Sequence, residues 1–373
     1  MYLASEKATF SAVAETVSIL LFAIPYIDTC QINNIIPKRL NPFKHAFRPI
    51  LQLAGDKLLQ EKKAVGDVMT EGEKLATFCE GHEIQNSWGS FWLFSYDLNL
   101  NVPAEQDINV LEVFLQAVRG IGPVREKKFR AFGIQTLWDL AKKSPDGLVR
   151  EDAQRVCEAL EIRDWALLLE RFPKFKVLSA VPREKLAVID IETSGFTPAL
   201  PIFLVGVLTF EPNPKKRIFL ARHPVEEPAM LKEAVSVIAD KACVITYNGA
   251  SFDLPMLEKR CNRLDVPFQK PFNVDLLPIV RKLIGQEVPD CKLKTIERIV
   301  LQYERYNDPA SSEVPEIYQR FFLEQNPDIL QDVIDHNKKD LTSLVEIWSY
   351  LDERTDTVIL PVAFRRKAST TEG

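Results

Sequence analysis

Apolar positions change their period along this chain. From residue 183 onward, short aliphatic runs alternate with amphipathic stretches of helical spacing. Residues 186–193, 201–210, 216–221 and 242–247 read as strands, and the continuous apolar character of 201–210 and 242–247 predicts burial on both faces. Residues 226–240, 254–263, 275–284, 293–301, 317–323 and 329–351 have helical spacing, and 303–314 reads as a polar loop. Three strands, a helix and a fourth strand predict an α/β domain: a mixed sheet with helices around it.

Residues 108–175 lack strand signals. Helices are expected at 110–118, 124–131 and 136–143, with further helix to about 175 and a Pro-punctuated linker at 172–182. Residues 1–107 carry the least signal. Helices are expected at 10–27, 51–64 and 68–78, a loop at 33–39, and an aromatic, alternating strand at 88–96. Its aromatics fit either a small core, their commoner use, or a surface on which bases stack. The organisation is therefore a region of unknown role at 1–107, a mostly α-helical domain at 108–175, an α/β domain at 183–353, and a loosely packed or disordered tail at 354–373.

At 373 residues, with 46% hydrophobic and 27% charged, the chain has room for two or three domains and a sizeable core. The net charge of −5 excludes a globally basic nucleic-acid coat. Contact with nucleic acid would have to come from local patches. Six scattered cysteines without a Cys-x-x-Cys pair argue against structural zinc and fit a reducing, cytoplasmic setting. The apolar run 17–27 is too short to span a bilayer and lacks the flanks of a signal peptide, so no membrane association is expected.

The strand at 186–193 carries Asp190 and Glu192 at its end. Alternate strand residues share a face, so both carboxylates sit together while Ile189 and Ile191 point away. Neighbouring carboxylates resist ionising together unless a cation lies between them. The alternative is a pair of solvated acids where a strand emerges. Asp253 falls in the first turn of the helix after Asn248-Gly-Ala-Ser-Phe, where it serves either to start the helix or as a ligand. Asn248 orients a loop or an acid, or simply turns the chain. Asp275 reads as a helix cap or as a partner behind the site. His336 and Asp340, four apart, stack on one helix face. Four carboxylates of this kind suit two divalent cations about 4 Å apart. Hard oxygen donors favour Mg²⁺ or Mn²⁺. A nearby His takes or orients the proton of an attacking water. In-line hydrolysis of a phosphodiester is the reaction that needs such a site.

A second motif spans 119–143. Gly120 and Gly122 permit a tight turn whose backbone N–H groups face an anion. The next helix adds its positive N-terminal end. Arg119, Arg125, Lys127, Lys128 and Arg130 outnumber Glu126 there. With Phe-Gly-Ile-x-Thr-Leu following, this stretch resembles a helix-hairpin-helix, which implies a sequence-independent phosphate clamp. The alternative is a helical hairpin used for packing.

The sets Asp-Ile-Glu-Thr-Ser-Gly (190–195), Tyr-Asn-Gly-x-x-Phe-Asp (247–253) and His-Asn-x-x-Asp (336–340) resemble the three motifs of the DEDD exonuclease superfamily. Supporting segments at 202–206, 275–277, 292–298, 313–318 and 340–344 make the resemblance closer to its YprB-like branch. The likeness covers about 183–352. It implies a ribonuclease H-like fold and a metal-dependent nuclease, commonly acting 3′ to 5′ on single strands of DNA or RNA. It also implies Asp190, Glu192, Asp253 and Asp340 as ligands of two Mg²⁺ or Mn²⁺ ions and His336 as the base. One departure stands out. One branch places His five residues before the last Asp and another places Tyr four before; here His stands at the Tyr position. A nucleic-acid binder that keeps the fold without the chemistry is the competing expectation.

Overall fold

The computed structural model describes residues 75–210 and 212–358. The elements expected at 10–27, 33–39 and 51–64 lie outside the described residues, as does most of 68–78, whose described end, 75–78, is not helical.

Seven strands, β1 (His82–Asn86), β2 (Gly89–Asp97), β3 (Leu186–Thr193), β4 (Ile202–Thr209), β5 (Lys215–Leu220), β6 (Cys243–Thr246) and β7 (Phe272–Asp275), form one sheet. Their order is β1-β2-β5-β4-β3-β6-β7. β3 lies inside it, antiparallel to β4 and parallel to β6. β6 and β7 are parallel, and the β4, β5, β2, β1 side is antiparallel. The mixed sheet is the one expected, with two additions. The strand read at 88–96 pairs with β5 and so extends the sheet of the late domain rather than belonging to a separate region. β1 is short and mostly polar and β7 is only four residues long, so neither announces itself in the sequence. Phe91, Trp92 and Phe94 on β2 are buried, which gives these aromatics a core role and not a stacking one.

Each face of the sheet has its own core. Ile189 and Ile191 pack with the helices Glu227–Ile238 and Asp253–Arg263. Val188 and Leu208 pack on the opposite side with the long last helix, Asp328–Val358. Leu115, Leu168 and Leu178 from the segment before β3 join that second core. The last helix runs past residue 354, where a tail was expected.

Two expectations are corrected. Residues 110–118 do not form an α-helix. They form 3-10 turns at Ile108–Leu111 and Leu115–Ala117, broken at Phe114 (φ −88°, ψ 78°). Seven of those nine residues are apolar, more than one helix face can bury, and the break turns them inward twice. The stretch 172–182 is not a linker either. Pro173 precedes the helix Lys174–Ala180, whose residues 175–180 are all buried, so a proline read as punctuation opens a helix. The helices Pro123–Ala131 and Leu137–Lys143 form close to where they were expected, the second with a capping box of Thr136 and Asp139.

One contact of the last helix with the sheet falls on a glycine. Gly206 on β4 is the register partner of Asp190 on β3. A Cβ added at Gly206 would lie 2.0 Å from Asn337 Oδ1 and 2.8 Å from Leu341 Cδ1. The sheet therefore needs glycine for this helix to seat. Gly206→Ala is expected to cost about 1–3 kcal/mol through overpacking, read from the midpoint of urea unfolding. An unchanged midpoint would mean that the helix does not depend on this contact.

Candidate active site

Asp190 and Glu192 leave β3 on the face opposite Ile189 and Ile191, as strand alternation requires. The β3–β4 register shifts between Glu192 and Thr193, where Phe203 of β4 is left without a partner beside the acids. Asp253 opens its helix and is buried; its Oδ1 accepts from the Ile191 N–H at 3.2 Å, between the two β3 acids. The turn before it is tied down by Asp275. Asp275 Oδ1 accepts from the Asn248 N–H at 2.8 Å, and Oδ2 from the Ala250 N–H at 3.1 Å. Oδ1 also accepts from the Leu277 N–H at 3.0 Å and caps the next helix, Leu276–Ile284. Asn248 contributes a left-handed turn, φ +65°, with its side chain exposed.

The last helix brings the remaining groups. Asn337 Nδ2 donates to Asp190 Oδ2 at 2.6 Å. His336 Nε2 lies 4.0 Å from Glu192 Oε1 and 3.7 Å from Asp340 Oδ2. Its Nδ1 is 2.7 Å from Asp308 Oδ1. Asp340 Oδ1 forms an ion pair with Arg305 at 2.5 Å, and Arg305 Nε donates to the buried Glu297 at 2.7 Å. Sequence reasoning missed Asn337, Arg305, Asp308 and Glu297. Asn337 sits inside the His-Asn-x-x-Asp motif and Glu297 inside the segment 292–298, so both carried a signal. Arg305 and Asp308 lie in the stretch read only as a polar loop.

A cleft of about 610 Å³ opens beside these groups, with Tyr247, Arg281, Lys292, Lys294, His336 and Asp340 in its wall. Phe196, in the loop after β3, is 66% exposed, and its ring centroid lies 6.4 Å from that of Phe252, the residue before Asp253. Phe252 stands inside the Tyr-Asn-Gly-x-x-Phe-Asp motif, whereas Phe196 was not singled out from sequence.

Residues 187–352 match the model of the RNase_H superfamily. This stretch has a ribonuclease H-like fold. It contains all four acids and His336. The chain is also 29% identical over 178 residues to the "Uncharacterized protein YprB" of Bacillus subtilis (strain 168), covering 46% of this chain and 43% of that protein. It thus spans less than half the length of that relative. Among solved structures it is similar to the family B DNA polymerase of Pyrobaculum calidifontis (19% identity, TM-score 0.37, 47% of this chain and 25% of that one). It is also similar to Brucella melitensis NrnC bound to pGG (16% identity, TM-score 0.24, 47% and 86%).

Within the ribonuclease H-like domain the acids are under electrostatic load. Burial, then the charges of Asp340, Asp253 and Glu192, raise the pKa of Asp190. Burial, reinforced by Asp340 and Asp253, lifts Glu192 to about 8, against the pull of His336. Burial lifts Asp253 to about 7 despite its backbone hydrogen bonds. Burial also raises Asp340, against His336 and Arg305. For His336, burial opposes the charged form, but the Asp308 hydrogen bond and the Asp340 and Glu192 carboxylates outweigh it and raise the pKa. Among the described residues no three His, Cys, Asp or Glu side chains close tightly enough to hold an ion as they stand. The donor chemistry nonetheless fits one: these are hard oxygens whose mutual repulsion a divalent cation would relieve.

The basic hairpin at 119–143 is differently committed. Gly120 has φ +80° and makes the turn. Arg125 folds back onto Gly120 O at 3.2 Å and pairs with Asp146 at 2.6 Å. Arg119 pairs with Glu170 at 3.4 Å, and its N–H donates to Asp152. Arg130 pairs with Glu126 at 2.6 Å. Lys127 and Lys128 stand exposed on the helix Pro123–Ala131, which Gly122 precedes.

Because the acids have raised pKa values, their ionisation weighs on the folded state. Stability present at low pH is lost as pH climbs from the ordinary carboxylate range through about 7 to 8. A cation that binds the ionised cluster restores it. Thermal unfolding with MgCl₂ or MnCl₂ should therefore show a larger rise in Tm at pH 8 than at pH 6. Equal shifts at both pH values would count against a carboxylate cation site.

Proposed function

We propose that this chain is a divalent-metal-dependent nuclease that hydrolyses phosphodiester bonds, acting as a 3′ to 5′ exonuclease on single-stranded ends of DNA or RNA. The observation that supports it most is the meeting of acids from three distant elements: Asp190 and Glu192 on β3, Asp253 bonded to the Ile191 N–H between them, and Asp340 on the last helix. In this reading Asp190, Glu192, Asp253 and Asp340 hold two Mg²⁺ or Mn²⁺ ions. When bound, such ions lower the pKa of the attacking water and stabilise the leaving oxygen.

The chain's own groups do the rest. Asp308 accepts from His336 Nδ1, which leaves Nε2 facing Glu192 and Asp340 and able to take the proton of the attacking water. Asn337 fixes the Asp190 carboxylate, and Asp275 fixes the turn that carries Asp253. Arg281 and Lys292 in the cleft wall offer charge to backbone phosphates, while Lys294 there is paired with Asp308 at 2.5 Å. Phe196 and Phe252 offer ring faces to a terminal base. Gly120, Gly122, Lys127 and Lys128 would grip backbone farther along the strand, with Arg119 and Arg125 holding that turn in shape. A non-hydrolytic binder of the same fold is favoured by one observation, the Arg305–Asp340 ion pair.

The test is incubation with 5′-labelled single- and double-stranded DNA and RNA in Mg²⁺, Mn²⁺ or EDTA. A metal-dependent ladder shortening from the 3′ end is expected. Asp190→Asn and Asp340→Asn should each remove several kcal/mol of transition-state stabilisation, a rate loss of roughly 10³ or more. Full activity in Asp190→Asn, or binding without cleavage in every condition, would overturn the reading. Phe196→Ala should raise KM about tenfold with little change in kcat, from the loss of one stacking contact.

A further inference from the structure

The guanidinium of Arg305 sits where a cation is wanted. Its residue side chain is 4% exposed. From behind, Glu297, itself fully buried, takes both its Nε and one terminal nitrogen. That bidentate pair alone would satisfy the charge of an arginine. The same group nevertheless reaches on to Asp340 Oδ1 at 2.5 Å, with NH1 3.4 Å from Asp308 Oδ1 and 3.2 Å from His336 Nδ1. Asp340 thus has one oxygen on Arg305 and the other 3.7 Å from His336 Nε2.

An arginine does not deprotonate in this environment, so its charge is fixed. Four carboxylates gathered in a cleft with no counter-charge would repel one another and strain the fold. A guanidinium at their edge relieves part of that. It also occupies a donor that a divalent cation needs, and it repels the cation itself.

We propose that Arg305, aimed by Glu297, is the resident counter-ion of the acid cluster and competes with a divalent cation for Asp340. This rests on reading the four acids as a cation site. Arg305 offsets part of the acids' charge when no cation is bound and sets the cation concentration at which the site fills. It is a positioning residue, acting through Asp340.

Calorimetric titration of MnCl₂ into the full chain, without nucleic acid, tests this. Replacing Arg305 alone would leave Glu297 buried and uncompensated. The pair Glu297→Gln with Arg305→Gln removes both charges together and should bind Mn²⁺ about tenfold more tightly than the unaltered chain, a coupling of ordinary size. Arg305→Lys keeps the charge and should stay near the unaltered affinity. Unchanged or weaker Mn²⁺ binding in the double variant, with binding in the parent still abolished by Asp190→Asn, would overturn the competition and leave the cation site standing. No Mn²⁺ binding in any of these proteins would overturn both.

Discussion

The structure turns on holding like charges together out of water. Asp190, Glu192, Asp253 and Asp340 gather beside one cleft, and burial raises all four pKa values, with the charge of neighbouring acids adding to it at Asp190, Glu192 and Asp253. Such an arrangement is costly unless the surroundings enforce it. The enforcement can be traced through the fold. Asp190 and Glu192 are fixed by strand alternation within a sheet whose neighbours pair on both sides of β3. Asp253 is fixed by a backbone N–H of that strand and by a turn laced to Asp275. Asp340 is fixed by a helix that seats against Gly206. Each tie is a hydrogen bond or a steric fit, so the acids stay put even while repelling one another.

What the sequence disclosed follows from how local each determinant is. Asp190 and Glu192 were legible because a two-residue period puts both on one face wherever the strand lies. His336 and Asp340 were legible for the same reason at helical period. Asp275 showed itself as a cap because an Asp before a helix needs only its own chain to do that work. Arg305 and Asp308 were not legible. Their surroundings are a loop without periodicity, and their meaning comes from Glu297 and His336, which lie outside that loop. β1 and β7 were missed because strands this short take their conformation from a neighbour's unpaired edge, not from their own pattern. The region 110–118 was misread because an all-round apolar run satisfies helical spacing without having a polar face to show which way it turns.

The helical segment between β2 and β3 is built into the same packed body as the sheet. Its buried residues share a core with Val188 and Trp348, so it is packed against the ribonuclease H-like domain and not loosely tethered to it. Gln106 N–H donates to Ser179 O, and Arg183 donates to Pro103 O, closing the chain around the helix Lys174–Ala180. The stretch that sequence alone assigned to a linker is therefore a structural joint. That placement bears on the hairpin. Three of its arginines are held by acids of its own segment: Asp146, Glu170 and Glu126. A guanidinium already in an ion pair must give up that partner to meet a phosphate, so it adds little net affinity. Lys127 and Lys128, exposed on the first turns after the glycine loop, give up nothing of the kind. If this hairpin meets a phosphate backbone, the lysines carry the charge and the arginines hold the turn in shape for them.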